Sequence, residues 1–319
     1  MLEDDIMLVK GEWKSKWHPV QDKDSQGRFI RQSSAFTKRI TDVNLAVEQG
    51  LRLYVAYICP WANRTLIARS LLGLEETVDV KVVDPQLSDY GWQFGSSLGA
   101  TPSGVEGVEY AHQLYTMTEP EYTGRATVPV LWNINKNKII NNESSHILRI
   151  LNDDLRPIHD SAINLYPTEL QLEIDAFNQS IYDSLNNGVY RAGFASSQSA
   201  YNEAVIAIFK RLDELEAHFE VNGYAVGGKL TESDIRLFVT LTRFDIAYYG
   251  LFKTNLKLIA DYPALSHYLK RLLQIDAFAK NTRVDHIKAG YYSIKALNPS
   301  NIIPQGPKLD WFEYLTHGV

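Results

Sequence analysis

The tightest constraint on the fold is the run 51–84, LRLYVAYICPWANRTLIARSLLGLEETVDVKVVD. Residues 51–58 are rich in leucine, valine, isoleucine and tyrosine without a helical stripe, which predicts a buried strand. A helix is expected at once. Pro60 suits the first helical position, because its fixed φ is already helical and its missing N–H would have had no partner there. Cys59 then falls at the N-cap. Residues 61–72 continue the helix, with Leu66, Ile67, Leu71 and Leu72 spread around the cylinder as in a helix buried against a sheet. Gly73 is a natural stop. Residues 78–83 form a second β-rich run, so the stretch reads strand, helix, strand, with a crossover suited to parallel strands.

Cys59 is the only cysteine in 319 residues. A thiol at a helix N-terminus faces unpaired backbone N–H groups and the positive end of the helix dipole, and both favour the thiolate. A strand-to-helix junction also sits at the carboxyl edge of the sheet, where open α/β folds place ligands. Position therefore favours a nucleophile over an inert buried cysteine. With no second thiol in the chain, any disulfide chemistry needs an external partner, a small thiol being the simplest.

Composition narrows the class further. A chain that is 45% apolar and 22% charged is ordinary for a globular protein, and its length holds two modest domains. The net charge of −6 argues against nucleic acid as a partner, since phosphate binding needs a basic footprint. No stretch has the length and apolarity of a transmembrane span, so no membrane association is expected. The start, MLEDDIMLVKGEW, is acidic where a secretory signal is basic and then apolar, and the cytoplasm is the expected compartment. No two of the eight histidines have helical metal-ligand spacing and one cysteine builds no zinc cluster, so no metal is expected.

In chain order, 1–50 reads as a polar N-terminal extension anchored by Trp13, Trp17, Phe29 and Phe36. Residues 51–152 form an α/β domain interrupted by a long insertion at 85–125 that carries Tyr90, Trp92, Phe94, Tyr110, Tyr115 and Tyr122. After Pro129 a strand is expected, paired as a hairpin with 138–141. Asn142, Glu143 and Ser144 open a helix to about Leu151, with Asn142 as cap and Glu143 in a first turn that suits the dipole. A linker follows at 153–166. Residues 167–290 read as all-helical: Leu170, Ile174, Phe177, Ile181 and Leu185 form one stripe, and Tyr201, Val205, Ile208, Leu212, Leu215 and Phe219 another. Between the stripes, 186–195 reads as a loop. Gly228-Lys229 is a near miss to a phosphate-binding loop, and the better account is a capping box in which Thr231 caps and Asp234 reaches back. Residues 291–319 form a C-terminal tail.

Cys59-Pro60-Trp61-Ala62, Arg64-Thr65-Leu66-Ile67, Gly73-Leu74-Glu75, Val82-Val83 and Gly91-Trp92-Gln93-Phe94 together resemble the glutathionyl-hydroquinone reductases, the Xi class of glutathione transferases. The likeness continues almost to the C-terminus; Asn63 stands where members usually carry histidine. The resemblance implies an α/β thioredoxin-like N-terminal domain followed by an all-α C-terminal domain, a homodimer, and glutathione as co-substrate. Cys59 and Tyr190 are implied to be catalytic, and Tyr248 and Tyr291 to line the hydroquinone pocket. The tail is one residue shorter than in many members between its tyrosines and Asn298-Pro299, so Tyr292 competes with Tyr291 for that place. Glutathione is implied to lie under Trp92, to meet Arg125 through a carboxylate, to pair with the Val128 backbone beside a cis-proline, and to set its γ-glutamyl zwitterion on Glu143 and Ser144. The implied reaction converts an aromatic glutathione conjugate to hydroquinone and oxidised glutathione. A general thiol transferase or dehydroascorbate reductase of omega-like type, using Cys59 without the tyrosines, stays open. So do a non-catalytic binding module and a channel-like protein that shares the Cys-Pro start.

Overall fold

The computed structural model describes residues 7–14, 23–95, 97–159 and 161–315, and Trp17, one of the expected anchors, lies outside them. The chain forms two compact units, one from 1–20 and 32–162, the other from 21–31 and 163–319.

The first unit opens with a short hairpin, β1 (Leu8–Val9) against β2 (Glu12–Trp13), and a helix α1 (Val43–Glu48) capped by Asp42, whose carboxylate accepts the Leu45 N–H at 3.0 Å. These elements fall inside the stretch read as a plain extension; strands of two residues and a helix of six are too short to show a period. The sheet comes next: β3 (Leu51–Val55), α2 (Pro60–Leu71), β4 (Val78–Val82), α3 (Ala111–Thr118), β5 (Val130–Asn133), β6 (Lys138–Asn141) and α4 (Ser144–Arg149). Strand order is β4-β3-β5-β6. β3 and β4 run parallel with Leu51 opposite Val78, while β5 is antiparallel to both β3 and β6. All five residues of β3 are buried, as an interior strand requires, which explains its unbroken apolar run.

Cys59 and Pro60 take the N-cap and first helical positions, and Gly73, at φ +67°, turns the chain out of α2. The strand ends at Val55 rather than at residue 58, because the chain turns before the helix with Cys59 N–H bonded to the Ala56 carbonyl at 3.0 Å. The 85–125 insertion contains α3, started by the Gln113 side chain, which accepts the N–H groups of Glu109 and Tyr110 at 2.7 and 2.8 Å. At α4 the expected cap is corrected by one position. Glu143 is the N-cap and accepts the Ser145 N–H at 3.1 Å. Asn142 is drawn inward instead, donating to the Tyr115 hydroxyl at 3.0 Å and accepting the Phe36 N–H at 3.0 Å. The α-helix stops at Arg149 and continues as a π-helical turn, Ile150–Asp154.

The second unit is helical: α5 (Gln171–Ile181), a π-helical turn (Tyr182–Asn186), α6 (Gly188–Gly193), α7 (Gln198–Val221), α8 (Glu232–Arg243), a second π-helical turn (Phe244–Tyr248), α9 (Tyr249–Leu251), α10 (Pro263–Leu273), α11 (Asp276–Ala279) and α12 (Val284–Tyr291). The periodic stripes supply core residues, with Ile174, Ile181, Leu185, Ile208 and Leu212 fully buried. α6 occupies the segment read as a loop. Its terminal glycines lower helix propensity, but the Asn187 carbonyl accepts the N–H groups of Tyr190 and Arg191, both at 3.0 Å, and closes the first turn. The capping box of α8 is present: Asp234 accepts the Thr231 N–H at 2.9 Å, and it also accepts the Ala225 N–H at 2.8 Å and the Tyr268 hydroxyl at 2.9 Å. The Gly-Gly-Lys stretch before it is a turn with Gly227 and Gly228 at positive φ. Among the described residues no helix is long and apolar enough to cross a membrane.

Candidate functional site

In the first unit the sheet ends and helix starts gather several of the expected residues. Cys59, half-buried at the start of α2, points its thiol at the Val128 carbonyl oxygen 3.5 Å away. Val128 precedes β5 and joins Pro129 through a cis peptide bond, so its backbone stands beside the thiol. The N-cap position sets Cys59 at the positive end of the α2 dipole.

Glu143 and Ser144 sit together at the start of α4. The Glu143 carboxylate accepts hydrogen bonds from the Ser34 hydroxyl at 2.8 Å, the Ser145 N–H at 3.1 Å and the Ser145 hydroxyl at 3.0 Å. Burial raises its pKa, but those donors and the charge of Arg64 outweigh burial and hold it below the ordinary carboxylate value. It is therefore ionised at neutral pH. Two of its three described donors bond Oε1 and one bonds Oε2, so a carboxylate with about four acceptor sites keeps one for an ammonium. Ser144 is buried, its hydroxyl accepting from Arg64 at 3.4 Å. Trp92, half-buried in the connection before α3, accepts the Ala111 N–H on its carbonyl at 2.9 Å. Arg125 is half-buried, held by its backbone between the Gln32 side chain at 3.1 Å and the Tyr122 hydroxyl at 3.3 Å.

In the second unit the three expected tyrosines form one hydrogen-bonded chain. The Tyr291 hydroxyl lies 2.7 Å from that of Tyr190 and 3.0 Å from that of Tyr248. Tyr190 comes from α6, Tyr248 from the end of a π-helical turn, and Tyr291 from the last residue of α12. Phe252 packs against all three rings, with centroid distances of 5.5, 5.2 and 5.7 Å. Tyr292 lies apart from this trio, donating to the Ile246 carbonyl at 3.2 Å. Burial pushes the pKa of Tyr248 and Tyr291 well above that of a free phenol, with Tyr190 adding to the rise and Arg243 opposing it. All proton positions of such a neutral chain matter. Three hydroxyls carry three protons, and the two contacts within the trio use two, which leaves one proton available to an acceptor outside it.

Sequence reading gave no role to Ser34, Arg64 or Phe252. Arg64 carried a signal: a cation near a helix N-terminus opposes the dipole and asks for an anion nearby. Buried at 2% exposure, it lies over the Trp61 ring at 4.4 Å and reaches Ser144. Ser34 joins the site only through a contact remote in sequence, whereas Phe252 follows Tyr248 by four residues and is remote only from Tyr190 and Tyr291. Among the described residues no cluster of three metal-ligating side chains occurs.

Family models for the glutathione S-transferase N-terminal and C-terminal domains match residues 58–154 and 198–271. The chain is 43% identical over 303 residues to glutathionyl-hydroquinone reductase PcpF of Sphingobium chlorophenolicum, covering 94% of this chain and 96% of the relative. It is 41% identical to glutathionyl-hydroquinone reductase YqjG of Escherichia coli strain K12, with 95% of each chain covered. The crystal structure of glutathione-S-transferase Xi from Phanerochaete chrysosporium superposes with a TM-score of 0.87 at 41% identity, covering 91% of this chain and 96% of that one. The glutathione-bound structure of YqjG superposes with a TM-score of 0.83 at 39% identity, covering 96% of each.

Proposed function

Since the chain belongs to the Xi-class glutathione transferases, the family of the glutathionyl-hydroquinone reductases, we propose that it reduces glutathionyl-hydroquinones with glutathione. The observation that carries this reading is the single thiol at the N-cap of α2, set against the Val128 backbone. The Cys59 thiolate attacks the sulfur of the conjugate. A sulfur–sulfur bond forms between Cys59 and glutathione, the carbon–sulfur bond breaks, and its electron pair leaves on the ring, most easily as an enolate from the keto form. Tyr190, Tyr248 and Tyr291 supply hydrogen bonds and a proton to the ring oxygens, so that hydroquinone departs. The thiolate of a second glutathione then attacks the mixed disulfide, releasing oxidised glutathione and restoring Cys59.

Glutathione is held, on this reading, by the Val128 backbone, by Trp92 and Arg125, and by Glu143 and Ser144, where an ionised carboxylate with a spare acceptor site suits the γ-glutamyl ammonium. The reading includes a homodimer, which light scattering tests directly. It also includes a cytoplasmic setting, because the cycle consumes reduced glutathione and needs Cys59 as a free thiol.

A single turnover tests the chemistry. Mixed with glutathionyl-hydroquinone but no free glutathione, the protein should gain one glutathione by intact mass and release hydroquinone, and Cys59→Ala should do neither. Conjugate binding without adduct or hydroquinone would sink the reading. Tyr190→Phe separates a dedicated reductase from a general thiol transferase: hydroquinone release should fall by roughly 10²-fold or more, while reduction of a small disulfide stays near wild type.

A further inference from the structure

A segment of the N-terminal extension, part of the second unit, is fastened to the turn between α6 and α7. Arg28 binds Glu203 of α7 through two hydrogen bonds, at 3.0 and 2.8 Å. The Ser196 N–H donates to the Gly27 carbonyl at 3.1 Å, and the Ser197 hydroxyl to the Gln26 carbonyl at 2.8 Å. Phe29 packs on Phe194 with centroids 5.9 Å apart. These attachments end at Arg31, whose guanidinium carbon lies 5.3 Å from the Phe29 ring centroid and 4.9 Å from that of Tyr190.

The guanidinium is aimed by a second residue. Arg31 Nε donates to the Asn187 side-chain oxygen at 2.8 Å, and Asn187 is 7% exposed. The backbone carbonyl of the same Asn187 accepts the Tyr190 N–H. One asparagine thus both starts the helix that bears the phenol and holds the cation at the phenol's face. A cation within about 6 Å of an aromatic centroid is attracted to its electron density. That attraction strengthens as the phenol oxygen gains negative charge, because the charge spreads into the ring. The cation therefore favours the state in which Tyr190 has given up its proton, or is giving it, over the resting neutral phenol.

We propose that Arg31 is a positioning residue for Tyr190, its charge over the ring making the Tyr190 hydroxyl a stronger donor to the oxygen of the departing hydroquinone. The proposal rests on the reductase reading and on the role given there to Tyr190. It gives the extension a task in the reaction besides anchorage.

The test is a double-mutant cycle read by hydroquinone release at saturating glutathione. Arg31→Gln, which keeps a donor for Asn187 and loses the charge, should lower kcat about tenfold with KM for the conjugate changed less than about threefold. Arg31→Lys, which keeps the charge, should recover to within about threefold of wild type. In a Tyr190→Phe background, Arg31→Gln should cost nothing further. The proposal is overturned if Arg31→Gln keeps the wild-type kcat, if Arg31→Lys is as slow as Arg31→Gln, or if the loss is as large in the Tyr190→Phe background, since a merely structural strap gives the last two. A Tyr190→Phe variant that slows release beside an inert Arg31→Gln removes only Arg31. A Tyr190→Phe variant with normal release removes the phenol's role and Arg31 with it, and absence of a Cys59 adduct in the wild type marks failure of the reductase reading itself.

Discussion

At the scale of single residues, the phenol chain is where one atom carries most consequence. Tyr291 is the middle member, and its hydroxyl is the described partner of the fully buried Tyr248 hydroxyl. Replacing Tyr291 by phenylalanine leaves a buried polar group without that partner, a loss of about 1–3 kcal/mol. Tyr190 is half-buried, so Tyr190→Phe should cost less. Denaturant midpoints of the two variants check the order, and equal stabilities would contradict the chain as described. Glu143 makes the other residue-scale prediction. Its carboxylate is ionised at neutral pH, and Glu143→Gln keeps the shape while removing the charge. Glutathione affinity measured by calorimetry should then fall about tenfold to a hundredfold, and an unchanged affinity would remove Glu143 from the proposed glutathione site.

At the scale of elements, short irregular pieces place the phenols. Tyr190 comes just after one π-helical turn and Tyr248 ends another. An extra residue per turn rotates the helix beyond it, which is why such turns recur at functional sites. α6 is brief and begins and ends in glycine, and the reason at its end is steric. A Cβ on Gly193 would sit 2.4 Å from the Phe252 ring, the ring that packs on all three tyrosines. Gly193→Ala should therefore destabilise by about 1–3 kcal/mol and slow hydroquinone release, because Phe252 must shift. Gly188→Ala meets nothing nearer than 3.1 Å and should be milder in both respects. Thermal melts and release rates on the pair decide it; equal effects would mean that Phe252 moves freely.

At the scale of the whole molecule, stability should carry the signature of Asp245. Burial raises its pKa to about 6, although it accepts the N–H groups of Ile259 and Ala260 at 2.7 and 3.0 Å. In the unfolded chain it ionises near 3.9. Between about pH 4 and 6 the folded state thus holds more protons, so this carboxyl's contribution to stability falls as pH rises through that window, by up to about 3 kcal/mol, and is constant above it. Asp245→Asn should remove that slope, and wild-type and variant stabilities that run parallel from pH 4 to 6.5 would refute it. The sequence alone carried what depends on neighbours in the chain. The strand, the Cys59-Pro60 helix start, the Gly73 stop, the helical stripes and the Thr231 capping box are each settled within a few residues, where backbone sterics and hydrophobic period act. Cys59 could be singled out from its position alone, and the family likeness added the three tyrosines. α6, the inward turn of Asn142 and the Glu143 cap were misread because local propensity there is weak and remote partners decide the outcome. The hydrogen bonds that tie Tyr291 to Tyr190 and Tyr248, and the seating of Arg31 on Tyr190, belong to tertiary structure alone. Their bonds join residues 101, 43 and 156 positions apart, and only tertiary packing selects such pairs.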